Sequence, residues 1–161
     1  MYGYALGNPL RYTDVFGEQI MVSVSFHDDV FYGHVTLWTD TRIFDPNGAE
    51  CLCQIYEDAA PAYPGTGETY FRNPATDDAF RKHQTSGGWY VHNYKFNVPP
   101  YIEEEINRRI DEWAEDGTGP LGCASAVSWV LSGVGPFKNL GTTMWPSRLE
   151  DRLRETPQGG R

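Results

Sequence analysis

Gly119-Pro120-Leu121-Gly122-Cys123-Ala124-Ser125-Ala126-Val127-Ser128-Trp129-Val130-Leu131 reads as a loop of small residues that delivers a cysteine to the first turn of a buried helix. Pro120 and Gly122 break whatever precedes. Ala124, Val127, Val130 and Leu131 then recur at the spacing of one apolar helical face. Gly133 and Gly135-Pro136 stop the helix about three turns on. A first turn holds backbone N–H groups that have no partner within the helix, at the positive end of the helix dipole. Such surroundings generally favour thiolate over thiol, and the same N–H groups are placed to receive an oxyanion. The competing account is a structural cysteine packed as a small hydrophobe. A partner histidine decides between them.

Outward from that stretch, composition bounds the answer. A chain of 161 residues fits one domain with a real core. Its 22 Asp+Glu outnumber 13 Lys+Arg, and no basic cluster occurs. A phosphate-tracking surface is therefore not expected, nor is nucleic acid as a partner. A basic protein partner is compatible with this charge. No apolar run nears ~18 residues, so no membrane span is expected. The first residues lack the charged and apolar regions of a signal peptide. Three cysteines, two of them one residue apart, make no disulfide framework.

Upstream, Ile20, Val22, Val24 and Phe26 alternate with other residues as a half-buried strand over 19–26. His27-Asp28-Asp29 is a polar turn, and Val30 to Trp38 is a second strand rich in aromatic and β-branched residues. Asp40-Thr41 turns the chain into a short strand, Arg42 to Asp45, closed by Pro46-Asn47-Gly48. On the second strand His34, Thr36 and Trp38 share one face by the two-residue period. Asp45 lies on the returning strand, where a cross-strand or diagonal neighbour of His34 is expected. Cys123, His34 and Asp45 together supply what a cysteine hydrolase needs. The thiol attacks a carbonyl carbon, the imidazole moves the proton, and a third polar group orients the imidazole. For Asp45 the alternative is plain turn chemistry, since Asp-Pro-Asn-Gly is a common turn.

Three other histidines compete. His27 sits in a turn beside two aspartates, where a solvated, pH-responsive loop is the simpler account. His83 lies in a charged segment and is expected to be exposed. His92, on a strand from Trp89 to Val98, is the serious rival. Cys51 and Cys53 alternate onto one face of a strand over 50–56 without a second Cys/His pair, so core packing is expected there and no metal site. The stretch 59–88, rich in Pro and Gly, reads as a long irregular loop with one helical turn near Asp77 to His83. Tyr101 to Ala114 is an amphipathic helix, its Ile102, Ile106, Ile110 and Trp113 on one face and Glu103, Glu104 and Glu105 in a solvated first turn. Trp145, Leu149 and Leu153 are expected to cap the core, and the chain from Glu155 reads as a frayed tail.

Two family resemblances lie in these motifs. Tyr2-Gly-Tyr4…Asn8-Pro9…Asp14-Val-Phe-Gly17 resembles the signature that closes the shell of Rhs (YD-repeat) proteins. That resemblance implies that residues 1–17 end an Rhs core and that residues 18–161 are its C-terminal toxin. Val15 and Glu18 stand where the signature has proline and leucine, so self-cleavage at this junction is not carried over. The hairpin from Gly33-His34 to Asp45 is similar to the histidine-bearing hairpin of NlpC-type papain-like amidases. The order His, Asp, Cys is that of the circularly permuted branch, and Thr142-Thr143-Met-Trp-Pro146-Ser-Arg-Leu149 resembles a segment that follows the cysteine helix there. The resemblance implies an α+β, permuted papain-like fold, with an antiparallel sheet packed against a cysteine-bearing helix.

Motifs and resemblances together set the functional expectations. The chain is expected to be a secreted toxin domain delivered into a target cell, acting as a cofactor-free thiol hydrolase or acyl-transfer enzyme on an amide. Peptidoglycan peptide in the periplasm is favoured as substrate. A cytosolic protein that is cleaved, deamidated or cross-linked is the alternative, and a non-catalytic toxin that sequesters a partner is the alternative of another class. The Rhs resemblance further implies two partners, the shell of the parent chain and a cognate immunity protein.

Overall fold

The structure is a computed structural model that describes residues 18–46, 69–116 and 122–157. Five antiparallel strands form one sheet: β1 Glu18–His27, β2 Val30–Trp38, β3 Arg42–Phe44, β4 Thr69–Phe71 and β5 Tyr90–Val98, in the order β4-β3-β2-β1-β5. Four α-helices accompany it among the described residues: α1 Pro74–Thr85, α2 Pro100–Asp116, α3 Cys123–Leu131 and α4 Pro146–Glu155. The architecture is α+β, as expected. The expected strands β1, β2, β3 and β5 and the helix after Pro99 are present with bounds shifted by a residue or two.

Alternation sorts the sheet into two faces. Ile20, Val22, Val24, Val35, Leu37, Phe96 and Val98 join one core with Ile106 and Ile110 of α2, Val127, Val130 and Leu131 of α3, and Leu149 and Leu153 of α4. The intervening positions Trp38 and Ile43 form a second, smaller core with Tyr70 of β4 and Phe80 of α1. One apolar face thus packs three helices, and the other packs one.

Four expectations need correcting. From residue 69 the segment read as irregular is ordered: β4 is followed by a three-turn helix, not a single turn. Asn73 caps it, its Oδ1 accepting from Thr76 N at 2.9 Å, and Pro74 opens it. Only Thr76, Ala79 and Phe80 of this helix are buried, so it carries too narrow an apolar stripe to show in the sequence. Second, Trp145 does not cap the core but lies exposed, whereas Leu149 and Leu153 are fully buried. Third, the acidic start of α2 is not uniformly solvated. Glu103 is buried and accepts from Asp40 N at 2.9 Å, bracing the β2–β3 turn. Fourth, Glu155, the first residue of the expected tail, still belongs to α4, and Thr156 closes that helix by bonding Leu153 O and, through its hydroxyl, Arg152 O. Residues 1–17, the expected strand over 50–56 with Cys51 and Cys53, and the last four residues lie outside the described residues.

Candidate active site

Two backbone features place the nucleophile candidate. Gly122, the residue before α3, has φ 102 and ψ 147, a conformation essentially reserved for glycine. Its carbonyl already accepts from Ala126 N at 3.0 Å, so the helix starts at Cys123. The other end is held by α2: Arg109 Nη1 donates to Ser132 O at 2.7 Å and more weakly to the carbonyls of Val130 and Trp129. Glu105 orients that guanidinium, accepting from Arg109 Nε at 2.9 Å. Every side chain of α3 from Ala124 to Leu131 except that of Trp129 is buried, whereas Cys123 is only half-buried and carries a free thiol.

The histidine is placed by the first hairpin. Ser25 pairs with His34, and the register shifts between Ser25 and His27, a bulge beside the site. Gly33 allows this approach: a Cβ there would stand 2.7 Å from Ser25 O and 2.9 Å from the Phe26 ring. β3 pairs only with Leu37 and Trp38 of β2. Asp45, immediately after β3, then turns back along β2. Its buried Oδ1 meets His34 Nε2 at 2.5 Å and accepts from Thr36 Oγ1 at 3.1 Å.

The Cys123 side chain also stands near enough to His34 to favour its charged form. The electrostatics of this arrangement are uneven. Burial is the largest single influence on His34 and by itself disfavours the imidazolium. The hydrogen bond to Asp45 and the nearness of Cys123, with the charges of both partners, together outweigh it and lift the imidazole pKa to about 10. The balance favours the imidazolium form of His34.

Cys123, His34 and Asp45 line one cavity of about 450 Å3. Its walls add Ser25, Tyr32, Gly33 and Gly122 near the three, and Phe80, His83, Gln84, Ser86 and Trp89 from α1 and the turn after it. Two of these wall residues carry no mark of the site in the sequence. Trp89 packs against His27 at a ring separation of 5.6 Å. Gln84 has a buried Nε2 with no hydrogen-bond partner, a donor left uncommitted. Nothing in the sequence signals it, because the helix that presents it is itself not legible there.

The rival histidines go elsewhere. His92 bonds Glu150 Oε1 at 2.6 Å, where Tyr94 and Arg154 also converge on the same carboxylate. His27 is no solvated loop residue: its Nδ1 accepts from Asp29 N at 3.0 Å and its Nε2 bonds Gly87 O at 2.7 Å, clamping the hairpin turn to the turn after α1. His83 is half-buried, not exposed, and sits on the cavity wall. Among the described residues no group of three or more His, Cys, Asp or Glu is arranged to hold a metal ion, and no helix is long and apolar enough to cross a membrane.

Comparison with known proteins returned no matching family model, no matching curated protein and no matching solved structure.

Proposed function

We propose that this chain is a thiol hydrolase of the permuted papain-like kind, acting on an amide bond. The observation that carries the reading is His34 bonded to a buried carboxylate on the wall of one cavity that Cys123 also lines. In this reading the thiol proton of Cys123 passes to His34 as the sulfur attacks the carbonyl carbon, and the developing oxyanion is met by the N–H groups at the start of α3. The carbon–nitrogen bond breaks as His34 gives its proton to the leaving amine, which leaves a thioester. Water then attacks that thioester with His34 as base, and the acid product departs with the thiol regenerated. Asp45 keeps the ring oriented and supports its charged form, and Thr36 keeps Asp45 oriented.

The biological setting rests on sequence motifs. The Rhs-like segment at residues 2–17 supports reading residues 18–161 as a toxin delivered into a target cell, with an immunity protein encoded beside it. The NlpC-like order of motifs supports a peptidoglycan peptide as the substrate, in the periplasm. Expressing residues 18–161 with and without an export signal, each beside its Cys123→Ala control, tests both points. Death of exporting cells alone, lost in the Cys123→Ala control, is the expected result. Killing confined to the cytoplasmic form would replace peptidoglycan by a cytosolic protein as substrate. Undiminished killing by Cys123→Ala would remove the thiol mechanism and leave a toxin that acts by sequestering a partner.

A further inference from the structure

A second cavity, of about 510 Å3, lies between α3 and the segment leading into α4, and it shares no lining residue with the cavity at Cys123. Three large apolar side chains left at the surface line it: Trp129 is 38 % exposed, Met144 70 % and Trp145 53 %. Their exposure is not the by-product of a slack loop. Ser128 Oγ accepts from Thr143 N at 3.0 Å, and Thr143 Oγ1 accepts from Trp145 N at 3.2 Å. Arg152 donates to the carbonyls of Leu140 and Thr142 at 3.0 and 3.1 Å. The backbone on both sides of Met144 is thus fixed, while the two largest side chains of the segment face water. Rigid, pre-positioned tryptophan and methionine are what a recognition surface requires, because little ordering remains to be done on binding.

Charge narrows the occupant. Acidic residues dominate the chain, 22 against 13, yet among the described residues Arg148 and Arg152 line this cavity and no carboxylate does. Arg152 is occupied by the two carbonyls. Arg148 makes no ion pair among the described residues. We propose that this groove binds an acidic polypeptide segment of a partner protein, with an apolar side chain seated against Trp129 and Trp145 and an adjacent carboxylate paired with Arg148. The surface works without the thiol chemistry and does not depend on it.

The test uses the whole chain carrying Cys123→Ala, so that no probe is consumed. Two labelled synthetic peptides are titrated by fluorescence anisotropy: Leu-Phe flanked on each side by two glutamates, and its counterpart flanked by lysines. The glutamate peptide should bind at least about tenfold tighter than the lysine peptide, and its binding should weaken as salt screens the pair. Trp145→Ala should weaken it by about tenfold or more. Arg148→Glu should reverse the preference between the two peptides, a gain that a misfolded variant cannot show. Equal binding of the two peptides, or binding unchanged by both substitutions, overturns the proposal. So does tighter binding of soluble peptidoglycan sugar oligomers, or a concentration-dependent dimer abolished by Trp145→Ala. An inactive thiol site would leave every one of these readings unaltered.

Discussion

The proton on His34 is held by a carboxylate whose only other strong partner among the described residues is Thr36. Asp45→Asn keeps the shape of that carboxylate and removes its charge. The alkaline limit of activity should then fall from near pH 10 towards the ordinary imidazole range, and the rate at pH 7 should drop by about a hundredfold or more. A pH–rate profile of the two proteins reads this directly; coincident profiles would remove Asp45 from the mechanism. Cys123→Ala should cost at least about a thousandfold in rate with little change in melting temperature, since the half-buried thiol contributes modestly to packing. These three residues are legible in the sequence because each obeys a local rule: a helix start after small residues, a two-residue period, a turn returning beside it. Gln84 and His83 obey none that shows, because the helix presenting them buries only Thr76, Ala79 and Phe80.

Each end of α3 is fixed by a different device, and each can be removed separately. Gly122→Ala asks an L-residue to hold φ 102, which should cost about 1–3 kcal/mol and shift the thiol, so stability and activity fall together. Arg109→Ala removes a charged donor from the carboxyl end of the helix and should cost about 1–2 kcal/mol by urea denaturation while the active-site groups stay chemically intact. A loss of activity without a loss of stability in Arg109→Ala would contradict the purely structural role. The helix itself is evident from its apolar spacing. Its clamp is not, because Arg109 lies on the polar side of another helix and nothing local to it names Ser132 as a target.

For the molecule as a whole, stability should depend on pH through His34. Its folded pKa lies above the unfolded value, so the stabilising contribution is complete below about pH 6.5 and is lost as pH rises through about 10. Melting temperature measured from pH 6 to pH 10.5 should fall on the alkaline side, and His34→Phe should flatten that limb; an equal slope in both proteins would place the alkaline loss elsewhere. The overall α+β class can be read from alternating strands and two amphipathic helices, whereas the sheet order β4-β3-β2-β1-β5 cannot, since β4 is only three residues long. The imidazole and its carboxylate come from the opening hairpin and its return, and the sulfur from a helix that is made after all five strands. That spacing along the chain becomes an interval in time. A chain being synthesised, or passed through a narrow conduit in extended form, holds these groups far apart. Their meeting requires closure of a long loop, the slow kind of contact in folding. The juxtaposition of Cys123 with His34 and Asp45 is thus the product of late folding, and the unfolded chain does not hold it.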